Sequence, residues 1–411
     1  MGEVCILVNM TVHELRAKFG KKAIVTLLVT GVLIASTGFF AHRTLTLNST
    51  VSTLHANERS LADKLSITLS SLKQSQQELA DLQNQDQYKI NQDLEKTITA
   101  IESSYKKSVA VYESLIKLKE SVAKTAKLDE TYVTALNHLV KREYASAEAT
   151  LAKLQKDIAS QQASIASSFS IPANVVANNA PPGAGYRRQK VSADIGEYLV
   201  DIISADLNST RVVVDTASDG DCKDSCPVLS LAEYAARSGG FAAINGPYFC
   251  PASYPGCAGK TNSFDTLIMN KGKHYFNSDN NVYSNVPAVI FSGGSARFVG
   301  QSSQWGRDTG VDAVIASQPM LLSGGNIVFG GDGEPKRGSK GPRSFIGASG
   351  SIVYIGVVHN ATVAEVAHVL KALGLQNALN LDSGASTGLW NGGYVIPQGR
   401  TTPFGIILQR K

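Results

Sequence analysis

Apolar and polar positions follow three different rules along this chain. Ala23 to Ala41 contains no charged residue, and nineteen helical residues rise about 28 Å, roughly one hydrocarbon core. From Arg43 to Ser170 the apolar residues recur at three- and four-residue steps: Leu61, Leu65, Leu69 and Leu72, then Ile90, Leu94, Ile98, Ile101 and Tyr105, and later Leu151, Leu154 and Ile158. No Gly or Pro interrupts this stretch, so it predicts a helical stalk with a narrow apolar seam, either a coiled coil or a long hairpin. Gln and Ser dilute the seam between Ser75 and Gln87, which places the expected break within Asp81 to Tyr88. Tyr105, Tyr112 and Tyr132 read as packing residues of that seam.

Pro172 ends the helical pattern because it cannot donate to the helical ladder. Residues 171–185 have the Pro, Asn and Gly content of a linker. Beyond them, short β-like runs alternate with Gly-containing turns: Val212 to Val214, Phe241 to Ile244, Thr266 to Met269, Val286 to Phe291, Val311 to Ala316, Ile352 to Val358, Ala378 to Leu381 and Phe404 to Leu408. Leu229 to Arg237 and Val363 to Leu373 have helical spacing. Many strands and few helices predict an α+β domain with a mixed sheet over residues 186–411, large enough for its own core.

The expected organisation is a tail at residues 1–22, a transmembrane helix at 23–41, a stalk at 43–170, a linker at 171–185 and a terminal domain at 186–411. Arg16, Lys18, Lys21 and Lys22 precede the apolar helix, so the positive-inside rule places the N-terminus in the cytoplasm and the remainder outside, on a single-pass anchor in the cell membrane. A cleaved signal peptide is the rival reading, against which the long, mixed first 22 residues and the bulky Gly38-Phe39-Phe40 count. The stalk is also a candidate surface for homo-oligomerisation.

Net charge is +5, from 39 Lys and Arg against 34 Asp and Glu, and the bases are scattered. That argues against nucleic acid as a partner and leaves room for an anionic substrate. Cys5 belongs to the tail, while the other cysteines form two short-range sets, Cys222 with Cys226 and Cys250 with Cys257. In an exported domain disulfides are the default, the simplest pairing closing each local loop. A zinc site competes, but neither spacing is that of a zinc knuckle and no His lies among these cysteines. No metal or cofactor is expected.

Four segments in order carry a resemblance. They are Ala243-Ile244-Asn245-Gly246-Pro247-Tyr248-Phe249; Gly341-Pro342-Arg343-Ser344-Phe345-Ile346-Gly347; Val358-His359-Asn360 followed by Thr362 to Ala367; and Asn380-Leu381-Asp382-Ser383-Gly384-Ala385-Ser386-Thr387. Together they resemble the phosphodiester glycosidase family, over roughly Tyr186 to Arg410. The resemblance implies hydrolysis of a sugar-1-phosphodiester linkage in an envelope or extracellular glycan. The alternatives are a non-catalytic glycan-binding envelope module and a stalk-mediated structural scaffold.

That chemistry needs a group for the anionic phosphate, groups for the sugar, and acid or base assistance. Arg343 suits the phosphate, since a planar guanidinium holds two oxygens at once. Asp382 is the leading carboxylate, stabilising charge at the anomeric carbon or activating water. His359 and Glu365 are the further catalytic candidates, one for proton exchange near neutral pH and the other as a second carboxylate. Asn245, Gly246, Ser383, Gly384, Ser386 and Thr387 are the expected substrate-binding residues, and Asp265 is a weaker candidate. The chain departs from the family pattern in four places: Ser383, Ala385 and Pro247 stand where it has glycine, and His359 where many members have an acidic residue. A glycine position that needed positive φ would tolerate neither Ser nor Ala without strain. The Gly-rich runs at 323–325 and 330–333 lack phosphate-loop spacing and read as hairpin turns.

Overall fold

The computed structural model describes residues 21–120, 122, 124–277 and 285–411. Residues 1–20 of the expected tail, Cys5 among them, lie outside the described residues. Contacts divide the chain into two compact units, one ending at Thr97 and one running from Ile98 to Lys411. In the first, α1 (Lys21–Asn84) stops at Gln85, inside the diluted part of the seam, and α2 (Asp86–Lys119) follows. The apolar segment of α1 is long and apolar enough to cross a membrane, and its described large apolar side chains are exposed in the isolated chain.

The second unit begins inside α2, continues through α3 (Ala126–Val140) and α4 (Tyr144–Ser168), and then enters the β domain. The three- and four-residue spacing closes a small core here, with Val111, Leu115 and Leu118 packed against Leu128, Ala135, Leu151, Leu154 and Ile158. Tyr112 and Tyr132 stack with ring centroids 5.0 Å apart, and Ser108 shares a 3.0 Å hydrogen bond with the Tyr132 hydroxyl. From Ile98 onward the helical pattern folds back on itself and belongs to the same contact unit as the β domain.

Among the described residues, seventeen strands and three α-helices follow. In chain order these are β1 (Gly185–Ala193), β2 (Gly196–Asp206), β3 (Thr210–Thr216), α5 (Leu231–Arg237), β4 (Gly240–Asn245), β5 (Ile268–Met269), β6 (Tyr275–Phe276), β7 (Ala288–Ser292), β8 (Ser295–Val299) and β9 (Ala313–Ala316). Then come β10 (Met320–Ser323), β11 (Asn326–Ile327), α6 (Pro335–Gly338), β12 (Gly341–Ser349), β13 (Ile352–Ala361), α7 (Val363–Ala372), β14 (Asn377–Asn380), β15 (Leu389–Asn391), β16 (Tyr394–Ile396) and β17 (Phe404–Arg410). They build a seven-stranded sheet, β1-β2-β13-β12-β14-β10-β11, and two five-stranded sheets, β16-β15-β4-β17-β3 and β6-β5-β9-β7-β8. The α+β class is as expected, with every pairing between these strands antiparallel.

The seven-stranded sheet is covered on both faces, which is why its inner strand β13 reads as a continuous apolar run. Adjacent residues face opposite cores: Ile203, Ile346, Ile355, Val357 and Leu379 enter the central core, while Ile202, Phe345, Tyr354, Val358 and Ala378 pack under α7. The central core is shared with the inner faces of both five-stranded sheets, through Ile244, Phe404 and Ile406 on one and Ile268, Phe291 and Ile315 on the other. Thr362 caps α7 in a reciprocal box with Glu365, and Ser230 does the same for α5 with Glu233.

Candidate active site

The ends of two sheets meet at Asp382. β14 lies inside the seven-stranded sheet, and its direction is carried one residue further by the Leu381 N–H donating to the Ser344 carbonyl at 2.9 Å. The next residue crosses over: the Asp382 N–H donates to the Gly246 carbonyl, 3.2 Å away, at the end of β4 in the other sheet. Asn245 locks this junction. Its amide donates to the Asp382 carbonyl at 2.7 Å and the Gly246 carbonyl at 3.2 Å, and its oxygen accepts from the Ser344 hydroxyl at 2.7 Å and the Gly388 N–H at 3.1 Å. Fully buried with its amide hydrogens and oxygen engaged, Asn245 has nothing left for a sugar. Its side chain holds the junction between the two sheets. An added Cβ at Gly246 would lie 2.1 Å from the Phe404 ring, so glycine is required there for packing.

After Asp382 the chain makes a short 3₁₀ turn at Gly384–Ser386. Ser383 is extended at φ −136°, and Gly384 is the residue of this loop at positive φ, +69°. The two departures from the family pattern therefore cost no backbone strain: Ser383 and Ala385 fall where an L-residue is at ease, and glycine is kept where it is needed. Ser386 and Thr387 are buried, and their hydroxyls have no hydrogen-bond partner among the described residues.

Asp382 is half-buried on a cleft of about 360 Å³. Loss of water around it pushes its carboxyl up to about 6; the Ser386 hydroxyl, the Arg400 charge and the Ser383 N–H at 2.8 Å pull the other way, and Asp265 adds to the rise. Six bases line the cleft, Lys117, Lys260, Lys336, Arg337, Arg343 and Arg400, against the carboxylates of Glu113, Asp265, Glu334 and Asp382. This excess suits an anionic ligand.

One wall is the loop closed by the Cys250–Cys257 disulfide, which presents Tyr254 to the cleft. The second disulfide joins Cys222 to Cys226, so both bridges close local loops as expected. The loops brace each other: the Cys226 N–H donates to the Thr261 carbonyl at 3.0 Å and the Thr261 N–H to Asp224 at 2.6 Å. Tyr254 also receives two cations over its ring, Lys336 at 4.9 Å and Arg400 at 5.5 Å from the centroid.

Arg343 reaches the cleft, but its fork is largely occupied. Nε donates to the Ala361 carbonyl at 3.0 Å, and Nη2 donates to the Lys336 carbonyl at 2.9 Å and to the Ser339 carbonyl. The bidentate grip on phosphate expected from its residue type is replaced by a brace on the α6 loop, which leaves Nη1 for a ligand. Burial lowers the guanidinium's affinity for its proton, and the neighbouring Tyr248, Glu334 and Asp382 offset part of that.

His359 and Glu365 do not line this cleft. His359 shares a 2.7 Å hydrogen bond with Asp201 and stacks on Phe169. Asp201 is fully buried; burial alone would raise its pKa, yet hydrogen bonds from His359, Arg188 and Tyr186 bring it down to about 2. Glu365 is committed to the α7 cap and to an ion pair with Lys340 at 3.1 Å. Both expected catalytic candidates thus hold strands and helix together.

Several cleft residues lie outside the candidates named from sequence, Arg400, Glu113 and Lys117 among them. Arg400 sits in the loop before β17, and Glu113 and Lys117 come from α2. The Lys117 ammonium donates to the Lys336 carbonyl at 3.2 Å and the Ser339 hydroxyl at 3.1 Å; burial first, and the Arg343 charge second, push it down to about 8. Glu113 pairs with Lys336 at 2.9 Å. Position in a helical repeat carries no sign of such contacts.

A profile of the phosphodiester glycosidase family matches residues 238–409, which contain Asn245, Arg343, Asp382 and Arg400. No curated protein matches the chain. Among solved structures, a hypothetical protein from Synechocystis aligns with 13% identity and a TM-score of 0.43, over 55% of this chain and 62% of that one. The catalytic domain of zebrafish N-acetylglucosamine-1-phosphodiester alpha-N-acetylglucosaminidase, auto-inhibited by its pro-peptide, aligns with 15% identity and a TM-score of 0.43, over 58% of this chain and 87% of that one. A putative exported protein from Burkholderia pseudomallei K96243 aligns with 11% identity and a TM-score of 0.33, over 53% of this chain and 76% of that one. By the family match and the ordered motifs within it, residues 238–409 are similar to a phosphodiester glycosidase domain.

Proposed function

We propose that this chain is a membrane-anchored hydrolase that cleaves a sugar-1-phosphodiester in an extracytoplasmic glycan. The observation that carries the reading is Asp382: a half-buried carboxylate with its pKa raised to about 6, on a cation-rich cleft, inside the family match. Water attacks the anomeric carbon, its proton passes to the Asp382 carboxylate, and the C1–O bond breaks to release a phosphomonoester. A base with a pKa near 6 is ionised at neutral pH yet still basic enough to accept that proton. Arg343 Nη1 and Arg400 face the phosphate, while the Ser383–Gly384 backbone meets the sugar; the side chains of Ser386 and Thr387 are buried and do not line this cleft. The apolar segment of α1 and the two disulfides support an anchor with the domain outside the cytoplasm.

The test uses residues 98–411, the whole second contact unit, made under oxidising conditions and given a panel of sugar-1-phosphodiesters. The native protein releases free sugar, and Asp382→Asn lowers the rate by roughly 10²- to 10⁴-fold while remaining folded. Turnover by Asp382→Asn within tenfold of native would refute the role of this carboxylate. Saturable glycan binding with no turnover on any member of the panel would favour a binding module instead.

A further inference from the structure

A carboxylate already sits at the edge of the cleft. Glu120 directly follows α2 and places Oε1 2.6 Å from Nη2 of Arg400. Its Oε2 accepts the Ala385 N–H at 3.1 Å, in the loop that follows Asp382. Gly384 is needed for its positive φ, and a Cβ there would lie 3.4 Å from Oε2, in ordinary contact. A negative charge at a helix C-terminus opposes the helix dipole, so α2 itself gives no reason for an acid at this position. Arg400 supplies the compensation, and both side chains are mostly covered, at 16% and 19% exposure.

Glu120 does not satisfy its partner. Among the described residues, Nε and Nη1 of Arg400 are buried and have no hydrogen-bond partner. A guanidinium offers five donors in one plane, and a carboxylate engaging only Nη2 leaves the rest of that fork unused. Both bidentate edges of the guanidinium include Nη2, so a tetrahedral anion that displaces Glu120 gains Nη2 together with Nε or Nη1, and has a further oxygen for the Ala385 N–H. The Tyr254 ring backs the guanidinium, and Arg400 lies on the same cleft as Asp382.

We propose that Arg400 and the Ala385 N–H form a phosphate subsite, which Glu120 fills as an internal surrogate that an anionic ligand displaces. The identity of that anion as the phosphodiester of a substrate rests on the hydrolase reading above; the subsite itself does not. The helical segment beginning at Ile98 is then part of the site, because phosphate enters only as Glu120 leaves.

Isothermal titration of the full chain in detergent micelles with inorganic phosphate tests this directly. Glu120→Gln keeps the side-chain shape and removes the competing charge, and phosphate affinity rises about tenfold. Glu58→Gln makes the same change of net charge on the other contact unit and leaves affinity unchanged. Adding Arg400→Ala to Glu120→Gln abolishes the gain, and Arg400→Lys, which keeps the charge but lacks the planar fork, loses most of it. Equal affinity in Glu120→Gln and native protein, or a gain that survives Arg400→Ala, overturns the proposal. Sugar release measured on the same samples separates the two readings. A phosphate gain without turnover by any variant would keep the subsite and sink the hydrolase; turnover with no effect of Glu120→Gln on phosphate would do the reverse.

Discussion

A carboxyl raised to about 6 from the ordinary 3.8 is destabilising when ionised, and Asp382→Asn measures by how much. The folded protein holds this proton more tightly than the unfolded chain between pH 3.8 and about 6, so Asp382 loses stability for the fold as pH rises through that window and is most costly above it. A shift of roughly two units corresponds to about 3 kcal/mol. The side chain opens to the cleft, so solvent screening reduces this and about 1–2 kcal/mol is expected. Asparagine keeps an oxygen to accept the Ser383 N–H, so the loop geometry survives. Urea unfolding of residues 98–411 is the assay, at pH 4 and pH 7.5. At pH 7.5 the variant is the more stable by that amount, and at pH 4 the difference has largely gone. A variant less stable than native at pH 7.5, or a difference independent of pH, would show that burial does not set the state of this carboxylate.

Two further outcomes follow from packing and charge. Gly246→Ala drives a methyl to within 2.1 Å of the Phe404 ring at the junction beneath Asp382, and thermal unfolding reports a loss of about 1–3 kcal/mol. Asp201→Asn removes the buried charge held by His359, Arg188 and Tyr186, costing about 2–3 kcal/mol at neutral pH; because its folded pKa is depressed to about 2, the advantage of the native residue shrinks as pH falls from 3.8 towards 2, which acid titration of both proteins followed by circular dichroism records.

The strands legible in the sequence are those whose apolar runs are unbroken, such as Ile352 to Val358 and Phe404 to Leu408. β2 and β12 were not legible. Asp201 interrupts the first and Arg343 the second, and a charged residue inside a run normally argues against a buried strand. Both are tolerated because partners far away in sequence neutralise or hydrogen-bond them: His359 and Arg188 for Asp201, and the carbonyls of Lys336, Ser339 and Ala361 for Arg343. The strand-end positions of Asp382 and Asn245 are legible from the apolar runs that precede them. Their division of labour is not, since an amide at a strand end looks the same whether it faces a sugar or four partners in the protein.

Local rules decide what the sequence alone determines here. The length of the apolar helix, the helical period up to Ser168, the break near Gln85 and the two cysteine loops each depend on residues within a few positions of one another. The site depends on tertiary structure. Asp382 acquires its environment where β14 and β4 of different sheets meet, and Arg400 and Glu120 are 280 residues apart yet share a hydrogen bond. Burial, which sets the Asp382 pKa, and the choice of partner for each guanidinium are properties of that assembled surface. No stretch of sequence contains them, because desolvation and electrostatic pairing are fixed only by which segments come to lie together.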